Sequence, residues 1–147
     1  MRISAHGLAV TSPTGWDVQI YKRAAGPGEC TFPILHAGNF SLPEERGDFG
    51  AGAVEVMSHK QVFVALVEHD AAAAHTALFR REGFPRPQVA DFSPRQLQRP
   101  LLGQCGAQFF FHTADRAFCL YVVLGSRGRR RQLLESANAL LPTVRVA

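Results

Sequence analysis

The sequence holds no Cys-x-x-Cys pair, no Gly-x-Ser-x-Gly elbow and no two histidines three or four residues apart. It also lacks internal repeats, coiled-coil heptads and low-complexity tracts. Each absence removes a class of function. The cysteines, Cys30, Cys105 and Cys119, are odd in number, so reduced thiols are expected in place of a disulfide framework. His6, His36, His59, His69, His75 and His112 have no ligand spacing, so no metal is expected. No window approaches the ~18 apolar residues of a membrane span. The opening MRISAHGLAVTS has no apolar run long enough for a secretory signal, and a cytoplasmic protein is the expectation.

What is present is a balanced globular composition. The chain has 147 residues, 46% apolar and 19% charged. Residues 1–147 suit one domain that can build a core without disulfides or metals. A net charge of +4 is a mild bias toward acidic partners, and its placement matters more than its total.

Hydrophobic periodicity places the elements. Ile3 to Ala5 and Leu8 to Thr11 flank a turn at His6–Gly7, and Trp16 to Tyr21 alternates like a half-wet strand. A further strand is expected over Thr31 to His36, and one helical turn over Pro43 to Arg46 before the loop Gly47 to Gly52. Val62 to Val67 and Phe118 to Leu124 are apolar on both alternating faces, the pattern of interior strands covered on both sides. Pairing Thr113 with Arg116 sets Phe111 opposite Phe118, Phe110 opposite Cys119 and Cys105 opposite Leu124, too far from Cys119 for a disulfide.

Two helices are expected. Asp70 as N-cap and Gly83 as terminator frame Ala71 to Glu82, with Ala71, Ala74, Leu78 and Phe79 on one stripe and His75 in the core or at its edge. The second covers about Arg129 to Leu140, burying Leu133, Leu134, Ala137, Leu140 and Leu141. Ser93-Pro94 signals a short helix as well. These elements imply an α+β fold, a three-layer α/β/α sandwich around a mainly antiparallel sheet.

The turn Pro13-Thr14-Gly15-Trp16 lies between two strands, and the chain ends in a strand hairpin, Ser126 into an amphipathic helix, and the short strand Thr143 to Val146. In this layout the chain resembles the PsbP-like fold family, α/β/α sandwiches that include an extrinsic photosystem subunit and Ran-GTPase-binding proteins. The resemblance implies a protein that docks onto a larger complex and is not an enzyme. Many such proteins are exported, so their compartment and partners do not carry over, and no functional residue is transferred.

Chemistry-bearing clusters are sparse. Cys119 sits in the apolar run Phe118 to Tyr121, where a thiol behaves as a small hydrophobe. Glu44, Glu45 and Asp48 form an acidic loop that reads as a solvated turn, and no cofactor is expected. Arg127, Arg129, Arg130 and Arg131 stand apart, because they crowd a helix start, where the backbone dipole already places partial positive charge. Two readings stand: a contact for an acidic protein surface, anionic ligand or nucleic acid, or a solvated face offset by acids such as Glu135. Phe49, in the glycine-rich loop, is a second candidate contact. The functional expectation is a non-catalytic accessory or adaptor protein, with an anion or nucleic-acid binder as the alternative.

Overall fold

Continuous apolar runs along β5 (Val62–His69) and β7 (Arg116–Leu124) organise the molecule, and the computed structural model describes all 147 residues. The two strands pair antiparallel from Val62↔Leu124 to His69↔Ala117. Around them β3 (Asp17–Tyr21), β4 (Ile34–Gly38) and β6 (Cys105–Thr113) complete a five-stranded antiparallel sheet in the order β3-β4-β5-β7-β6. A second, three-stranded antiparallel sheet joins β1 (Arg2–Ala5), β2 (Leu8–Thr11) and β8 (Arg145–Val146), with β2 in the middle. The β6–β7 register has Thr113↔Arg116, Phe110↔Cys119, Phe111↔Phe118 and Cys105↔Leu124, as the hairpin pattern predicts. All three cysteines are free thiols, with Cys30 exposed and the other two buried.

Both faces of the large sheet are covered, by different kinds of structure. Val62, Val64, Leu66, Phe118, Leu120, Val122 and Leu124 point to one face. There they meet Leu133, Leu134 and Ala137 of α1 (Arg130–Ala137), Leu140 and Leu141 beyond it, and Leu8 and Val10 of the small sheet. Phe63, Ala65, Val67, Tyr121 and Val123 point to the other face. That face is closed by Leu42, Ala53, Val54 and Leu97, with Phe40, Phe49, Met57 and Leu101 packed at the margin. Burying a side chain such as Phe63 or Val123 is worth roughly 1.5–3 kcal/mol, so neither face can stay open.

The α/β/α expectation is therefore corrected. The protein is mostly sheet, its single α-helix has 8 residues, and the second face is covered by irregular chain. The helix expected over Ala71 to Glu82 is replaced by two 3-10 turns, Ala71–His75 and Ala77–Phe79. Asp70 does cap the first turn, accepting from Ala72 N at 3.0 Å. Thr76 then ends it, because its hydroxyl and its N–H both donate to the Ala73 carbonyl, at 2.7 and 3.0 Å, and its backbone is extended. Helices this short depend on tertiary packing, and this stripe supplies only Ala74 and Phe79 to the core. Leu78 and His75 are exposed, against the expectation for both. Pro43 to Arg46 bends without a helical turn, and the second helix stops at Ala137, short of Leu140.

Candidate functional site

The arginine-rich helix start is fixed by a close approach at the end of β7. Gly125 N donates to the Gln61 carbonyl at 2.9 Å. A Cβ on Gly125 would lie 2.0 Å from the Ser58 carbonyl oxygen, so only glycine allows the strand end to press against this loop. The chain then makes a 3-10 turn over Arg127–Arg129 and runs into α1. Arg127 N donates to the Gly103 carbonyl at 2.7 Å, and Arg130 Nη1 donates to the Arg127 carbonyl at 3.2 Å.

Nothing neutralises this terminus. Neither Ser126 nor Arg129 caps the backbone with its side chain, and no acidic residue lies in the first turn of α1. The protein has three ion pairs, Arg23–Asp48, Arg99–Glu55 and Arg116–Glu68, and none involves Arg127, Arg129, Arg130 or Arg131. Arg127, Arg129 and Arg131 are exposed and Arg130 is half-buried. Their field reaches inward to Cys105: burial pushes that thiol up, while the charges of Arg130 and Arg127 pull it the other way. The structure brings the four arginines together on one corner with no carboxylate partner, Glu135 included.

Phe49 is placed differently. Its ring packs inward, edge-on to Tyr121 with centroids 5.9 Å apart, and helps close the second face. Phe109 and Phe110 are half-buried, with the Arg81 guanidinium over Phe109 and Phe79 edge-on to Phe110. Phe111 is fully buried. None of the three lies open as a stacking surface.

Beside Arg127 lies a cleft of about 430 Å³, lined also by Pro94, Leu97, Pro100, Leu101, Leu102, Gly103 and Gln104. A larger one, about 740 Å³, lies between Phe84–Gln88 and Leu141–Arg145 and shares no residue with it. Its Arg145 guanidinium is tied to the Pro142 and Val144 carbonyls, at 2.7 and 2.9 Å.

His36, His112 and Cys119 are held by the packing and hydrogen bonds of the fold. His36 is fully buried between Arg46 and the Asp48 carbonyl, a network that the sequence reading missed. Arg46 also binds the Pro43 carbonyl at 2.8 Å and the Gln19 side chain at 2.5 Å. Burial pushes the Cys119 thiol up to about 12, and His112 Nδ1 is engaged by the Phe79 carbonyl at 2.7 Å. No three His, Cys, Asp or Glu side chains converge as a metal-ligand set, and no helix is long and apolar enough to cross a membrane. Comparison with protein-family models, curated proteins and solved structures gave no match to the chain.

Proposed function

We propose that the protein is a non-catalytic docking module, an adaptor or accessory subunit of the cytoplasm. It would hold an acidic surface of a partner protein with Arg127, Arg129, Arg130 and Arg131. The observation that carries this reading is their lack of any carboxylate partner at an uncapped helix start. Each positive charge there opposes the helix dipole by ~0.3–1 kcal/mol, a cost that an acidic partner would remove. An anionic ligand or a nucleic acid is the second reading. It is weaker because the neighbouring surface is apolar and the phenylalanines of β6 pack inward.

The test captures a partner from host lysate with the wild-type protein and compares the Arg129→Glu/Arg130→Glu variant. Charge reversal is expected to raise the melting temperature, since acids suit a helix N-terminus, and to abolish binding. Wild-type binding should weaken as salt rises, because screening shortens to ~8 Å at physiological ionic strength. A steep linear fall of log affinity with log salt, on a nucleic-acid ligand, would favour the second reading. Unchanged affinity in the variant sinks both.

A further inference from the structure

Leu102 is fully exposed, yet the backbone that carries it is pinned on all sides. Gln104 N donates to the Leu101 carbonyl at 3.2 Å, which closes a four-residue turn with Gly103 at φ +84°. The Gly103 carbonyl accepts from Arg127 N. Gln104 is buried, and its Nε2 donates to the Val54 carbonyl at 2.8 Å. On the other side Leu97 is buried, and Gln98 N donates to the Tyr121 hydroxyl at 2.8 Å. A loose loop would fold such a side chain away. This turn holds it in water, forgoing roughly 1.5–3 kcal/mol of burial.

The cleft next to Leu102 has a single charged lining residue, Arg127, and no aromatic one. The Gln104–Val54 bond and the Arg99–Glu55 ion pair, at 3.1 Å, hold the neighbouring loop alongside this one. Arg127 therefore belongs both to an apolar cleft and to the unpaired arginine corner. Arginine is among the residues enriched in binding hot spots, and an apolar contact held in place before binding loses less conformational freedom when a partner arrives.

We propose that this cleft is the apolar half of the docking site. It takes one bulky apolar side chain of a short partner segment, packed against Leu102, while acidic residues flanking that side chain meet Arg127, Arg129 and Arg131. The inference rests on the docking reading of the arginines and narrows it, from an acidic surface to an acidic segment with an apolar anchor. With no ring to stack on, the cleft does not suit a nucleobase.

A displayed random peptide library, of about twelve residues per peptide to span an extended segment, tests it. It is selected in parallel on the wild type, Leu102→Ser and Arg129→Glu/Arg130→Glu, after melting curves establish that each is folded. The wild type should select Leu, Phe or Trp beside Asp or Glu. On Leu102→Ser the apolar preference should vanish while the acidic preference stays. A synthetic copy of a selected peptide should bind that variant about tenfold more weakly, the size of effect that marks a contributing interface side chain. Acidic residues alone on the wild type, or an unchanged apolar preference and affinity on Leu102→Ser, overturn this inference and leave the docking reading standing. Selection without acidic residues on the wild type overturns both.

Discussion

Arg46 Nε donates to His36 Nδ1 across 2.7 Å, so the buried imidazole accepts on that nitrogen and donates from Nε2 to the Asp48 carbonyl, also at 2.7 Å. Both partners select the same neutral tautomer. Burial, opposed by the Asp48 carbonyl and helped by the Arg46 charge, lowers the His36 pKa from 6.5 to about 4. In the unfolded chain the same ring takes up a proton near pH 6.5. The stability it contributes is therefore complete above about pH 6.5 and is lost as pH falls toward about 4, on the order of 3 kcal/mol in all. Urea midpoints across that interval should fall with pH in the wild type and fall less in His36→Gln. An equal slope in the variant would remove His36 as the cause.

Arg116 ties the two sheets together. It holds Glu68 with Nη2 at 2.6 Å and Nε at 2.9 Å, and it reaches the carbonyls of His6, Gly7 and Ala147 at 3.1 to 3.2 Å. Both side chains are largely buried, 17% and 8% exposed. Arg116→Met leaves the Glu68 charge without a partner and should cost about 3 kcal/mol. Adding Glu68→Met should restore part of it. A single variant within ~0.5 kcal/mol of wild type in urea unfolding would contradict this role.

The β6–β7 turn puts Ala114 at φ 51° and Asp115 at φ 60°, where aspartate is tolerated and alanine is not favoured. Left-handed backbone costs an ordinary L-residue roughly 1–2 kcal/mol. Ala114→Asn should stabilise the protein by about 1 kcal/mol and leave binding alone, read from its melting temperature. A lower melting temperature than wild type would count against the strain.

The three cysteines should separate cleanly in a thiol titration. Cys30 is exposed, whereas burial raises both Cys105 and Cys119, the latter to about 12. Since the thiolate is the reactive form, one equivalent should react quickly in the native protein and the other two only on unfolding. Two fast equivalents would place one buried thiol within reach of solvent.

The parts of this fold that could be read from sequence are those with a local rule behind them. A two-residue turn that pairs Thr113 with Arg116 fixes the β6–β7 register, and two-sided apolar runs mark β5 and β7 as interior strands. The covering of the second face has no period. It is assembled from Leu42, Val54 and Leu97, each from a separate stretch of irregular chain, and no pattern of 2 or 3.6 residues announces it. The helix expected after Asp70 failed because alanines bury little and Thr76 offers the backbone a competing bond. At the site, the arginines are visible as composition, but the exposure of Leu102 follows from bonds to Arg127 and Val54, distant in sequence. The His36–Arg46 bond is likewise a product of the fold.

The small sheet has a consequence for the order of assembly. β6 and β7 are joined by two residues, whereas Leu8 pairs with Val146, across nearly the whole chain. Closing so long a loop gives up chain entropy before any contact rewards it. The β6–β7 hairpin can form early with β5 added to it, while β8 can join β2 only once the remaining chain has been laid down between them. Amides of β2 and β8 should accordingly be among the first to exchange with heavy water, well before those of β5 and β7.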